Sequence, residues 1–280
     1  MIVLGTVGLV FGLFGTIQLQ YLFGGETNIT AAGYTYSEYA RRGFGELVWA
    51  AFLSLGLIFA LGHWGRRNDQ RQRWTFIGLS TALVLMLGVA LASALIRLQL
   101  YESAFGFTRL RAYTHVFIFW LAALLIAFLV LLTVQRLRTF APIAVAAGLG
   151  FVATLSIINI DGFIAAQNLE RFEQTGDLDL AYLARLTPDA TPTIAMWLGI
   201  ASMSTPPELN AQLACTAGVL TAQLSNQSWQ SFHVGRQRAW NALADIGEDL
   251  SGHQLWREGM AWFVANSGGE KLPCLGSAID

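Results

Sequence analysis

Nine side chains could form one polar cluster at a membrane edge: Glu38, Arg42, Glu46, Arg97, Tyr101, Glu102, Arg109, Arg111 and Asp161. Glu38, Arg42 and Glu46 stand at i, i+4 and i+8 within "YSEYARRGFGEL". On a helix they form one stripe, with Glu38 favourably N-terminal to Arg42. Glu46 directly precedes the apolar run "LVWAAFLSLGLIFALG", where an unpaired carboxylate at the hydrocarbon edge is costly and calls for a partner. A second stretch, "RLQLYESAFGFTRLRAY", supplies candidates. Arg97 and Tyr101 share a helix face there, and Glu102, Arg109 and Arg111 follow around "AFGF", a short turn or re-entrant piece. Asp161 comes after the last apolar run, with Asn159, Asn168 and Arg171 close in sequence. Arginine forks suit phosphate, and a buried glutamate could serve as a general base. The same residues could instead form a structural ion-pair network, and an interfacial helix anchored by Tyr34, Tyr36 and Tyr39 accounts for the first stretch without any chemistry.

The remaining ligand-type residues are sparse. His63 ends one apolar run and His115 begins another, so they fall at opposite membrane faces and cannot jointly hold a haem iron. Either alone could ligate a haem or a chlorophyll-type pigment, or act only as a hydrogen-bonding residue. His233 and His253 lack ligand spacing, and the sequence holds no Gly-rich phosphate loop, no H-E-x-x-H and no G-x-S-x-G. No metal and no cofactor are expected. Cys215 and Cys274 could form one disulfide or remain two reduced thiols, and their spacing fits no zinc or redox motif.

The elements that must position these residues follow from composition. Of 280 residues, 54% are apolar and only 12% charged, with a mean hydropathy of +0.50; soluble domains carry about 25% charged residues. Apolar runs at 2–23, 47–64, 74–96, 116–134 and 140–160 approach the roughly 20 residues needed to cross a hydrocarbon core of about 30 Å. The first lacks the basic flank and small-residue cleavage site of a signal peptide and is expected to be a retained helix. The expected fold is all-α: a five-span transmembrane helical bundle at 1–160, then a small acidic all-α extramembrane domain at 161–280. Four amphipathic helices are expected there, in "DLDLAYLARL", "TPDATPTIAMWLGIAS", "PPELNAQLACTAGVLTAQL" and "SWQSFHVGRQRAWNALADIGEDL", with "SGGEKLPCLGSAID" as loop and tail. Gly12, Gly15, Gly56, Gly88 and Gly148 offer close helix contact.

Charge divides the chain as hydropathy does. Residues 1–160 hold 11 arginines and 5 acids, a net of +6, whereas 161–280 hold 6 basic and 13 acidic residues, a net of −7. The acidic part argues against nucleic acid as a partner. Arg66, Arg67, Arg71 and Arg73 between the second and third runs, with Arg136 and Arg138 between the fourth and fifth, outnumber Arg41, Arg42, Arg109 and Arg111 on the other side by six to four. The positive-inside rule therefore places the N-terminus in the cytoplasm and the C-terminal region outside.

"TYSEYARRGFGEL" together with "LYESAFGFTRLRAY" resembles a family of bacterial multi-pass membrane proteins classed only as a domain of unknown function (4153/4173). "IQLQYLFGG", "NIDGFIAAQNLERF", "DLDLAYLARLTPDATP" and "SWQSFHVGRQRAW" extend the resemblance over residues 17–243. It implies a bacterial cytoplasmic-membrane protein whose charged stretches are family features, and it brings no established reaction. The family pattern has further spans before "QLQYLFGG", so a shortened relative, or one borrowing helices from a neighbouring subunit, is expected. It also has a basic residue where Ala166 stands and asparagine where His233 stands. The expected function is that of a non-catalytic accessory or scaffold subunit of a larger membrane complex, with membrane lipids and other membrane subunits as partners. The alternative is a lipid-headgroup binder or membrane-edge enzyme using the arginine and glutamate cluster, and a transporter is a weaker third reading because no inverted repeat is evident.

Overall fold

Apolar runs free of internal proline become the long helices of this chain. The computed structural model describes residues 5–9, 12–13, 44–64, 69–200, 206–225, 229–250, 252–258, 261–265 and 271–274. The chain divides into two units, residues 1–105 with 110–157, and residues 106–109 with 158–280.

The first unit contains α1 (Phe44–Trp64), α2 (Gln70–Phe105), α3 (Arg109–Thr133), whose first residue is counted with the other unit, and α4 (Phe140–Ile157). The only proline of these helices, Pro142, sits in the first turn of α4, where no intrahelical donor is lost. Among the described residues three helices are long and apolar enough to cross a membrane: α2, α3 and the stretch Leu137–Ile157. The expectation of five spans is thus met in part. The run expected at 47–64 is helical over Phe44–Trp64, and the part of it whose side chains are described, Val48–Gly62, is apolar. The run expected at 2–23 lies mostly outside the described residues, with 5–9 and 12–13 helical. Because helix is the natural way to satisfy backbone groups, α2 continues past Arg97 and Glu102 to Phe105, well beyond the apolar run that seeds it.

A shared core joins three of these helices. Phe76, Leu83, Leu87 and Leu91 form a stripe on α2 at helical spacing and meet Ala51 and Ile58 of α1 and Ile118, Leu125, Phe128 and Leu132 of α3. In contrast, α4 buries only Ala147. It touches α3 through the Trp120 ring, which lies so close to Gly150 that a Cβ there would overlap it. The Trp120 indole also donates to the Thr154 hydroxyl at 3.1 Å. Gly150, rather than the expected glycines, carries the close approach. Gly56, Gly88 and Gly148 face open space, Gly12 meets only the Met86 methyl at 3.7 Å, and Gly15 lies outside the described residues.

The second unit contains α5 (Ile160–Thr175), the single turn α6 (Leu180–Leu183), α7 (Thr191–Ile200), α8 (Pro207–Ser225), α9 (Val234–Asp245) and the single turn α10 (Gly247–Leu250). Three strands follow, β1 (Gln254–Glu258), β2 (Ala261–Ala265) and β3 (Lys271–Pro273), paired antiparallel in the order β1-β2-β3. The sheet corrects the all-α expectation for this region, and β3 corrects the reading of "SGGEKLPCLGSAID" as loop and tail. The strands form because Leu255, Trp256, Trp262, Phe263 and Val264 are large or β-branched and alternate faces. Leu255 pairs with the fully buried Val264, and Leu255 packs on Gly218 of α8 at 3.1 Å from where a Cβ would stand. On the other face Trp256 stacks on Phe263 at 6.0 Å. The core runs from Ala165 and Leu169 on α5 through Ile194 on α7 and Leu213 on α8 to Leu243 on α9. Cys215 and Cys274 are joined by a disulfide that ties α8 to the end of β3.

Candidate functional site: an arginine–aspartate node

The turn "GFTR", residues 106–109, breaks the helical ladder between α2 and α3, and the second unit satisfies the backbone groups it frees. Gly106 adopts a left-handed φ of 74°, which glycine reaches without strain. A Cβ there would also stand 2.6 Å from the Asn168 side-chain oxygen. Asn168, on α5, accepts from the Phe107 N–H at 2.7 Å and donates back to the Phe107 carbonyl at 3.0 Å. Phe107 meets Phe163 edge to face at 5.6 Å. The Arg109 N–H, one of the orphan donors that open a helix, donates to the Tyr182 hydroxyl at 2.8 Å.

Two turns before Asn168 on the same face of α5 stands Asp161, 7% exposed. Asn159 caps this helix, accepting from the Gly162 N–H at 2.8 Å and donating to the Asp189 carbonyl at 2.7 Å. Arg109 forks onto Asp161, its Nε at 2.7 Å from Oδ1 and its Nη2 at 2.6 Å from Oδ2. Thr187 donates to Oδ2 from both its backbone N–H, at 2.8 Å, and its hydroxyl, at 2.6 Å. Burial alone would raise the Asp161 carboxyl, but the hydrogen bonds from Arg109 and Thr187 outweigh it and hold the group below its ordinary value. Its place in the first turn of α5 adds the favourable end of the helix dipole. A carboxylate holding four donors is a poor base, and an arginine whose fork is filled by it is a poor phosphate ligand. The arrangement clamps backbone to backbone.

In the first unit the charged residues pair differently. Glu102, 2% exposed near the end of α2, has its Oε1 at 3.2 Å from Nδ1 of His115 on α3. That oxygen makes no well-aligned hydrogen bond. The Arg111 guanidinium lies 4.0 Å from the centre of the Tyr101 ring. Arg97 donates to the Ser93 hydroxyl at 2.9 Å. Glu38 and Arg42 lie outside the described residues, and Glu46 and His63 fall on α1 with their side chains outside the described set. Of the nine residues singled out from sequence, the structure therefore brings Arg109 to Asp161 and Arg111 to Tyr101. Among the described residues, no three of His, Cys, Asp and Glu converge as a metal-binding group.

Two participants in the node carry a weaker sequence signal. Tyr182 and Thr187 sit in "AYLARLT" with nothing to mark them as partners of a residue 73 positions away in the Tyr182 case. The pairing of His115 with Glu102 was within reach, because a turn at "AFGF" folds the flanking helices back and sets residues just before it opposite residues just after it.

A family model described as "Domain of unknown function (DUF4153)" matches residues 1–196 of this chain. No curated protein and no solved structure matches it. The matched segment holds every residue of the node, whereas α8, α9, the sheet, the disulfide and the segment "SWQSFHVGRQRAW" lie beyond it.

Proposed function

The chain belongs to the DUF4153 family, and from that premise and its own chemistry we propose that it is a five-span inner-membrane protein of a bacterium. Its role is that of a non-catalytic accessory or scaffold subunit, with lipids and other membrane subunits as partners. The observation that carries this reading is α4. It is apolar over its length, among the described residues only Ala147 of it is buried, and Ile157 at its end is 83% exposed. Such a surface is stable only against lipid or another apolar helix. The saturation of Arg109 by Asp161 supports a structural role for the charged residues over headgroup binding or acid–base chemistry. The disulfide supports an oxidising, exterior location for residues 161–280, and with it a cytoplasmic N-terminus.

Extraction into a gentle detergent followed by native mass spectrometry tests the subunit reading. Co-purification with a stoichiometric membrane partner is the expected result. A chain that stays monomeric and alone across mild detergents and native-lipid discs would count decisively against it.

A further inference from the structure

The second unit carries a half-open pocket of about 320 Å³ whose chemistry differs from that of the unit around it. Leu183, Ile194, Leu213 and Val219 build an apolar wall. The charged residues that line it are Arg109, Arg185 and Arg236, with no carboxylate among them. That segregation is informative, because residues 161–280 carry 13 acids against 6 bases. A random sampling of this surface would have put carboxylates into the lining. Arg109 is neutralised by Asp161. Arg185 is exposed and Arg236 half-buried, and the side chains of both are without an ion pair or hydrogen bond among the described residues. The cavity therefore combines an apolar wall with a polar one of similar extent, which carries Gln212, Thr216 and two guanidinium groups without an ion pair among the described residues.

We infer that this cavity binds a single-chain anionic amphiphile, its hydrocarbon chain against the leucine-rich wall and its carboxylate or phosphate head at Arg185 and Arg236. The volume lies at the lower end of the roughly 300–1,000 Å³ typical of ligand sites, which suits one chain rather than two. Guanidinium groups favour carboxylate and phosphate through forked, charge-assisted hydrogen bonds. The slot is built rather than adventitious: Cys215 lies in its wall, and the disulfide to Cys274 fixes α8 against the sheet. This site is separate from the subunit reading and does not depend on it.

The test is displacement of a fluorescent fatty acid from the purified full-length protein in a neutral detergent. Competitors are dodecanoate, a lysophosphatidate and the uncharged dodecanol. Dodecanoate or the lysophosphatidate should displace the probe at least tenfold better than dodecanol. Whichever of the two acts at the lower concentration identifies the source as free fatty acid or lysophospholipid. Arg185→Ala and Arg236→Ala should each weaken binding about tenfold, since one charge-assisted hydrogen bond is worth on the order of a decade in affinity. Thr216→Phe, at a half-buried position in the lining, should abolish binding by filling the slot while circular dichroism and the disulfide remain as in wild type. Equal displacement by dodecanol, or wild-type binding by the arginine variants or by the filled variant, would overturn the inference.

Discussion

Asp161 is the residue on which the node turns, because four donors converge on it and two of them come from Arg109. Asp161→Asn keeps the shape, removes the charge and leaves the guanidinium uncompensated. Arg109 is partly exposed, at 38% of its side chain, so water relieves some of the cost. The expected destabilisation is about 1–3 kcal/mol rather than that of a fully buried pair. The pH dependence follows from the depressed carboxyl. Its stabilising contribution is complete above the unfolded carboxylate value, about 3.9, and is lost as pH falls through the lower folded value. Melting curves of wild type and Asp161→Asn in detergent should thus differ at neutral pH and converge on acidification below about pH 4; a gap that persists in acid would show that the charge is not responsible. A second residue-scale test is Asn168→Ala, which strips both hydrogen bonds from Phe107 and should cost about 1–3 kcal/mol by the same melting assay. Half of this node was legible in sequence. Arg109 and Asp161 stood out because charge is scarce in so apolar a chain. Tyr182 and Thr187 did not, since a neutral hydroxyl announces no long-range partner.

At the scale of elements, the long helices were readable and the sheet was not. Apolar runs located α2, α3 and α4, because a hydrophobic stretch of membrane length leaves few alternatives to helix. However, α2 runs nine residues past the expected 96 and α3 begins seven residues before the expected 116. The final strands carried their own signal, two β-rich runs "QLWRE" and "AWFVA" separated by two residues including glycine, a hairpin pattern. The all-α expectation leaves residues 251–266 without an element and so passes over it. The glycines failed for another reason. Which glycine receives a neighbour depends on helix rotation, and spacing alone does not reveal rotation. Gly150 is the test position, since any larger residue there collides with Trp120. Gly150→Ala should lower the melting temperature by an amount equivalent to about 1–3 kcal/mol, while Gly148→Ala, facing open space, should be near neutral or slightly stabilising. Similar losses from both would mean that α4 is not seated through Trp120. The disulfide likewise acts on elements, closing a separation of 59 residues between α8 and β3. Replacing both cysteines by serine should cost about 2–5 kcal/mol and expose α8 and the sheet to limited proteolysis.

For the molecule as a whole, the deciding property is the sign change along the chain, from +6 over residues 1–160 to −7 over 161–280. Acidic residues contribute little to topology, so orientation rests on how arginines distribute between loops. Four of the six on the proposed cytoplasmic side, Arg66, Arg67, Arg71 and Arg73, lie in one connection between α1 and α2 or at the start of α2. This concentration makes the topology testable by a single change. With wild-type sequence and five crossings, alkaline phosphatase fused after Asp280 should be active and a green fluorescent protein fused there should be dark. Changing the four arginines to alanine turns a six-to-four excess into a two-to-four deficit, so phosphatase activity should fall and fluorescence should appear. The cysteines give an independent reading of the same compartment. In intact cells with wild-type topology, Cys215 and Cys274 should resist maleimide until a reductant is added, as a bonded pair does. In the inverted variant they should label without reductant, because the cytoplasm keeps thiols reduced. A wild-type fusion that fluoresces, with both cysteines labelled at once, would place the acidic unit in the cytoplasm and remove the charge argument together with the exterior disulfide.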